Sequence, residues 1–112
     1  VVSTKYGKKL GKATERRMRR YRLTQRAKDD LIAIAKYGEE RFGIAQSGRY
    51  REQLKKRFAF LAEQPHLYPA VDHIRPRYRR SVCGVHSIYY RVAEDGVEIV
   101  RILKHQNLGD AL

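Results

Sequence analysis

Arginine side chains crowd a short segment in the second half of the chain, between residues 75 and 80. Four of these six residues are arginines, with a tyrosine among them: Arg75, Arg77, Tyr78, Arg79 and Arg80. Guanidinium groups bind phosphates and carboxylates through paired hydrogen bonds, and aromatic rings stack on bases. The segment therefore predicts a surface that binds an anionic partner, with a solvated, solubilising surface as the alternative.

A second group of basic and aromatic side chains lies on a predicted hairpin. Two runs rich in β-branched and aromatic residues, 85–92 and 97–105, meet at an Asp-Gly pair, which predicts two antiparallel strands. Alternation places Ile88, Tyr90 and Val92 on one face of the first strand, and Val100 and Ile102 opposite Ile99, Arg101 and Leu103 on the second. We therefore expect an apolar core face, and an outer face that carries Tyr89, Arg91 and Arg101.

Other candidate chemistry is weaker. Cys83 and His86 resemble a thiol–imidazole pair, but residues three apart on one strand point to opposite faces unless Gly84 introduces a turn. We therefore interpret Cys83 as structural. The four histidines have no metal-ligand spacing, and no glycine-rich loop is followed by Lys and Ser or Thr. The sequence thus predicts no metal and no cofactor, and the carboxylates of the first helix, such as Asp30, are interpreted as solvated charge.

The elements that position these residues can be predicted in order along the chain. A short strand at 21–23 precedes Thr24, which has the character of an N-cap, and an apolar stripe of helical spacing runs to about Gly43. A second amphipathic stretch ends at Pro65, and a strand at about 78–82 leads into the hairpin. The sequence therefore predicts an α+β, two-layer domain of order β-α-α-β-β-β, in which an antiparallel helical hairpin packs on a small antiparallel sheet.

Composition limits the partners and the domain count. The 112 residues carry a formal charge of +13, which favours nucleic acid or an acidic protein as the partner. No apolar run could span a bilayer and there is one cysteine, so we expect a cytoplasmic protein. Residues 1–17 are basic and lack an apolar stripe, which predicts a disordered extension ahead of one domain over 18–112.

Several motifs, taken in their order and spacing, resemble the ParE branch of the RelE/ParE toxin superfamily. They are YRLT at 21–24, Phe42-Gly43 with Ala45, LAEQP at 61–65, IRP at 74–76, Arg79-Arg80, IYYRV at 88–92 and VEIVRIL at 97–103. The resemblance implies the toxin of a type II toxin–antitoxin pair. It also implies neutralisation by a ParD-like antitoxin in a hetero-oligomer, and action on bacterial DNA gyrase without a catalytic centre of the toxin's own.

The sister RelE branch, which cuts messenger RNA on the ribosome, gives the alternative function. Arg80 and Arg101 lie roughly where that branch has catalytic or phosphate-stabilising arginines, and His105 is the one residue that could supply acid–base chemistry. The tail after Lys104 contains no tyrosine, which favours the ParE branch. A third possibility is an antitoxin-binding or nucleic-acid-binding module without toxicity.

The resemblance also divides the candidate residues between two partners. The target, which is gyrase, the gyrase-bound DNA or both, would contact the basic and aromatic set, and an acidic, amphipathic segment of the antitoxin would cover apolar surface on the helical hairpin. For Arg101 we predict an outward position, so that Arg101→Ala changes stability by less than about 0.5 kcal/mol but lowers toxicity. The alternative is that Arg101 anchors a local carboxylate such as Asp110, in which case the same change lowers stability and leaves toxicity per folded molecule unchanged. The expected target-binding residues are Arg75, Arg77, Arg79, Arg80, Tyr89, Arg91 and Arg101, and the expected antitoxin-binding residues are Leu31, Ile34, Tyr50, Leu54 and Phe58.

Overall fold

Two helices cover one face of a four-stranded sheet in the computed structural model, which describes residues 19–104. The observed order, β-α-α-β-β-β, confirms the predicted α+β fold. The predicted extension over 1–17, its boundary at Met18, and His105 lie outside the described residues. The elements are β1 (Arg20–Leu23), α1 (Gln25–Phe42), α2 (Ile44–Glu63), β2 (Arg79–Cys83), β3 (His86–Ala93) and β4 (Gly96–Lys104).

The helical hairpin begins and turns at the residues that the sequence indicates. Thr24 caps α1, because its hydroxyl accepts a hydrogen bond of 3.1 Å from the Ala27 N–H. Gly43 separates the two helices with a φ of 89°, a conformation that suits glycine. Helix α2 ends at Glu63, two residues before Pro65. In the described part of the chain, neither helix is long and apolar enough to cross a membrane.

The sheet has the strand order β1-β4-β3-β2. Strands β2, β3 and β4 pair antiparallel, as predicted, whereas β1 pairs parallel with β4 at the edge. A β-bulge interrupts the β3–β4 ladder, where Tyr89 pairs with Arg101 but the next residue, Tyr90, pairs with Ile99. The bulge turns both Ile99 and Ile102 toward the core, so the expectation that they lie on opposite faces is wrong.

The core lies between the helices and the inner face of the sheet. Leu54, Phe58 and Leu61 of α2 are fully buried against Ile88 and Tyr90 of β3. The Tyr21 ring of β1 packs against Phe58 at 5.4 Å between ring centroids. Leu54 and Phe58 therefore stabilise the fold, and neither offers an exposed surface to a partner.

Beyond the end of β1, side chains at the start of α1 form hydrogen bonds with the edge of β4. The last pair of the parallel ladder is Leu23 with Ile99, and beyond it the Thr24 hydroxyl donates to the Val100 carbonyl at 2.9 Å. The Asp30 carboxylate then accepts from the Ile102 N–H at 2.9 Å. Side chains of the N-cap and of α1 thus satisfy backbone groups of β4 that β1 leaves unpaired.

Candidate functional site

Three of the predicted residues form one row across the sheet. Arg80 of β2 pairs with Tyr89 of β3, and Tyr89 pairs with Arg101 of β4. Directly paired residues project from the same face of a sheet, and this row lies opposite the core residues Ile88 and Ile102. The structure therefore brings Arg80, Tyr89 and Arg101 together on the face that the alternation predicts.

Tyr89, at the centre of the row, is not exposed. Its side chain is completely buried, and its hydroxyl has no hydrogen-bond partner in the described part of the chain. The expectation of an exposed Tyr89 ring is wrong, because alternation predicts the face of a strand but not what covers that face. A buried hydroxyl without a partner costs free energy, so this residue is suboptimal for stability.

Arg101 is held by the helical layer. Its Nε and Nη2 atoms donate to the two oxygens of Asp30 at 2.7 and 2.9 Å, and the two side chains are only 13% and 14% exposed. The hydrogen bond to Asp30 raises the pKa of Arg101 above its ordinary value. The prediction of a freely exposed Arg101 is therefore wrong, and so is the interpretation of Asp30 as solvated charge.

A second row, on the same face, joins β1, β4 and β3. Arg22 pairs with Glu98, and Glu98 pairs with Arg91. The Arg91 guanidinium forms a hydrogen-bonded ion pair with the Glu98 carboxylate. The hydrogen bond to Glu98 raises the pKa of Arg91 above its ordinary value. Its guanidinium also lies 5.9 Å from the centroid of the Tyr78 ring. Arg91 remains exposed, as predicted, and its charge is fixed at physiological pH.

The loop that precedes β2 presents the remaining arginines. Arg75 and Arg77 are exposed, and Arg77 has a φ of 71°, the only positive φ at a non-glycine residue between 19 and 104. The Arg77 N–H donates to the Asp72 carboxylate at 2.9 Å, which supports this backbone conformation. The Arg79 guanidinium donates to the Tyr68 carbonyl at 2.6 Å. A cavity of about 590 Å³ is lined by this loop and the second row: Arg22, His66, Ala70, Asp72, Arg77, Arg79, Arg91, Val92, Ala93 and Glu98.

Cys83 and His86 share a face after all, because Gly84 and Val85 form a tight turn between β2 and β3. The Tyr50 hydroxyl lies between them, 3.1 Å from the Cys83 carbonyl oxygen and 2.7 Å from His86 Nδ1. The carbonyl can only accept, so both contacts are satisfied when the hydroxyl donates to Cys83 and Nδ1 donates to the hydroxyl. Burial raises the pKa of the Cys83 thiol, which supports the structural interpretation of this residue.

A groove runs between the helical hairpin and this turn. It has a volume of about 990 Å³ and a mostly apolar lining. Tyr37, Phe42 and Val85 in this lining are 42%, 57% and 57% exposed. Of the predicted antitoxin-binding residues, Ile34 and Tyr50 line the groove and Leu31 is partly buried against the core, whereas Leu54 and Phe58 lie inside the core.

The sequence interpretation missed two side chains that organise these surfaces. Asp30 could have been recognised, since it lies three residues after Ala27 and four before Ile34 on the inward side of α1. Arg57 of α2 donates to the Ser81 hydroxyl and the Val82 carbonyl, both at 2.8 Å, and no sequence pattern indicates these contacts. Across residues 19–104 no group of three or more His, Cys, Asp and Glu side chains is arranged to hold a metal ion.

Comparisons with known proteins identify the family. The family model described as the ParE toxin of the type II toxin–antitoxin system parDE matches residues 21–109. Toxin ParE1 of Caulobacter vibrioides is 40% identical over 91 residues, which cover 81% of this chain and 93% of that protein. Toxin ParE1 of Mycobacterium tuberculosis is 34% identical over 90 residues, which cover 80% and 91% of the two chains.

A solved structure shares the fold. The chain superposes on one from the chromosomal ParDE TA system of P. aeruginosa with a TM-score of 0.66 and 21% identity, covering 80% of this chain and 98% of that chain. The match to the family model and the identity to the two ParE1 toxins extend over most of the chain. The chain therefore belongs to the ParE toxin family of type II toxin–antitoxin systems.

Proposed function

We propose that this chain acts in the bacterial cytoplasm as a toxin that inhibits DNA gyrase, and that a ParD-like antitoxin neutralises it. The observation that carries this proposal is the family match over residues 21–109. Inhibition needs no catalytic centre in the toxin, because a protein that occupies a surface of an enzyme blocks it by binding alone. We expect the free toxin to act on gyrase and the antitoxin-bound toxin to be inactive.

The arginine surface is the proposed contact with the target. Arg80 and Arg91 project from the outer face of the sheet, and Arg75, Arg77 and Arg79 lie in or beside the preceding loop. Such a surface suits acidic side chains or phosphates of a gyrase–DNA complex. Arg101 and Tyr89 are not part of this proposed contact. The Arg101 guanidinium is bound by Asp30, and the Tyr89 side chain is buried, so we assign both residues to the stability of the fold.

The groove beside the helical hairpin is the proposed site for the antitoxin. Its exposed Tyr37, Phe42 and Val85 side chains offer apolar surface, and Arg49 and Lys104 in the same lining supply positive charge. An acidic, amphipathic segment would bury its apolar side chains there and place its carboxylates near the basic rim. The affinity of the antitoxin for the toxin should fall as the salt concentration rises, but part of it should remain because apolar surface is buried.

Val85→Glu tests this docking surface. The change places a charge in the groove on a side chain that is 57% exposed, so it should weaken binding of the cognate antitoxin about tenfold without unfolding the domain. Leu67→Glu is the matched control, because Leu67 is 61% exposed but does not line the groove. Equal antitoxin affinity for Val85→Glu and the wild type, by titration calorimetry, would remove the groove from the proposal.

Supercoiling by purified gyrase tests the proposed target. The wild-type toxin should lower the rate of supercoiling in proportion to its concentration, and added antitoxin should restore the rate. A parallel translation reaction measures cleavage of messenger RNA. Cleaved messenger RNA together with unaffected gyrase would overturn the gyrase proposal.

One observation favours a ribonuclease as the second candidate. Arg80 and Arg101 lie in one row, where two guanidinium groups could stabilise the charge of a cleaved phosphodiester. The ion pair between Arg101 and Asp30 weighs against it, because that guanidinium is already bound and mostly buried. The translation reaction above therefore also decides this candidate.

A further inference from the structure

Arg77 has a backbone conformation that an arginine adopts only at a cost. Its φ of 71° lies in the left-handed region, where a side chain raises the energy and glycine is preferred. The Asp72 carboxylate, which could have neutralised a guanidinium, instead accepts from the Arg77 backbone N–H at 2.9 Å. Strain that the surrounding structure maintains in this way points to a role for the side chain itself.

The charges around Arg77 leave the cavity beside it positive. Of the four arginines in the lining, Arg91 is paired with Glu98 and Arg22 lies 3.5 Å from Asp95. Arg79 is oriented by carbonyl oxygens, which fix its position without cancelling its charge. The Arg77 guanidinium makes no ion pair within residues 19–104. Two guanidinium groups without an ion pair in the described residues, Arg77 and Arg79, therefore border one cavity of about 590 Å³, and the Asp72 carboxylate, which also lines it, leaves the lining with an excess of positive charge.

We propose that this cavity binds a phosphodiester group of a nucleic-acid backbone, with Arg77 and Arg79 as its two anchors. A phosphate group can accept hydrogen bonds from two guanidinium groups. Because the cavity is open at the protein surface, it can contact the backbone of a nucleic-acid strand without enclosing the bases. The adjacent aromatic ring, Tyr78, already lies against Arg91, so base stacking is not part of the site. The inference deepens the proposed function and rests on it for the biological source of the strand, the DNA bound by gyrase.

Two substitutions of Arg77 separate the effect of its charge on binding from the effect of its backbone conformation on stability. Arg77→Gly removes the guanidinium and suits the positive φ, whereas Arg77→Ala removes the same charge and keeps the unfavourable conformation. Lys55→Gln is the control, since it removes one exposed charge from α2 at a residue that does not line the cavity. Binding is measured with a short DNA duplex, a single-stranded RNA and polyglutamate, each without gyrase and at several salt concentrations.

Both Arg77 variants should bind the duplex about tenfold more weakly than the wild type. The association constant should also depend less steeply on salt, with the magnitude of the slope of log K against log salt reduced by about 0.9. The Gly variant should also melt at a higher temperature than the Ala variant. Lys55→Gln should bind within about twofold of the wild type. Comparable losses of affinity for duplex DNA and for RNA would support a backbone phosphate as the ligand. A loss of affinity for only one of them would show which nucleic acid supplies that phosphate.

Three results would overturn the inference. They are unchanged DNA affinity in both Arg77 variants, an equal loss in Lys55→Gln, and tighter binding of polyglutamate than of DNA with the same dependence on Arg77. The result is separate from the gyrase proposal, because no gyrase is present. If DNA binding depends on Arg77 but the wild type leaves supercoiling unaffected, the cavity stands and the gyrase proposal fails.

Discussion

Asp30 connects α1 to β4 through a single carboxylate. It accepts two hydrogen bonds from Arg101 and one from the Ile102 N–H, all of 2.7 to 2.9 Å. Charged hydrogen bonds that are mostly shielded from water are stronger than exposed ones, and removing one partner leaves the other charge uncompensated. Arg101 therefore has a structural role that its position in an apolar strand does not reveal.

Arg101→Ala should lower the free energy of unfolding by about 2–3 kcal/mol, because it leaves the Asp30 carboxylate with one partner and little water. Toxicity per folded molecule should change little. Chemical denaturation measures the first quantity, and growth inhibition corrected for soluble toxin measures the second. This expectation replaces the one made from the sequence, in which Arg101→Ala was nearly neutral for stability.

The double variant Arg101→Ala with Asp30→Asn provides the control. An amide keeps an acceptor for the Ile102 N–H but carries no charge, so part of the lost stability should return. A stable Arg101→Ala with reduced toxicity would contradict this account and return Arg101 to the target-binding surface.

Tyr89→Phe should raise the free energy of unfolding by about 1 kcal/mol, since it removes a buried hydroxyl that has no partner and keeps the ring. Because the side chain is fully buried, toxicity should not change. Thermal melting and growth inhibition are measured on the same variant. Lower stability would mean that the hydroxyl is bonded in solution, and lost toxicity would give it a functional role.

At the scale of elements, β1 depends on the glycine at the start of β4. Arg20 pairs with Gly96, whose φ is 149°, and a Cβ built on Gly96 would lie 1.8 Å from the Arg20 carbonyl oxygen. No side-chain rotation relieves a clash with backbone. The parallel edge pair therefore requires glycine at this position, in addition to the turn that Glu94 and Asp95 form.

Gly96→Ala should cost about 3 kcal/mol or more, because β1 must separate from β4 to admit the methyl group. Gly48→Ala is the matched control, since the nearest atom to its Cβ, on Arg51, is 3.9 Å away within α2. That control should gain about 0.5–1 kcal/mol from helix propensity. Equal melting temperatures for the two variants would contradict the close approach.

The order of elements could be predicted from the sequence because each one has a local signal. Thr24 and Gly43 bound α1, Pro65 follows α2, and alternation marks the strands. The parallel pairing of β1 and the bulge opposite Tyr89 could not be predicted, because both depend on contacts between residues far apart in sequence. One bulge was enough to reverse the predicted position of Ile99.

The exposure of the candidate residues could be predicted from the sequence only in part. Charge and spacing located the arginines of the loop and the sheet, and Arg75, Arg77 and Arg91 are exposed as expected. The complete burial of Tyr89 could not be predicted, because alternation gives the face of a strand and not what covers that face, and the pairing of Arg101 with Asp30 depends on how α1 packs beside β4. Helical spacing places Asp30 on the inward side of α1, but no local pattern indicates that Arg101 is its partner.

At the scale of the whole molecule, two proposed surfaces have different chemistry. The groove beside the helical hairpin is mostly apolar, whereas the cavity beside the loop is lined by arginines, and the two linings have no residue in common. The chain's formal charge of +13 would draw acidic partners toward both. We infer that contacts with the antitoxin and with the target can be altered separately by mutation.

The topology of a reporter plasmid after induction of the toxin tests the central claim most directly. If the chain inhibits gyrase, plasmid isolated soon after induction should have lost negative supercoils while messenger RNA is still intact, and co-expression of the antitoxin should prevent the change. Electrophoresis with an intercalator and RNA blots from the same culture supply both readings. Plasmid that keeps its supercoiling while messenger RNA is cleaved would contradict the account.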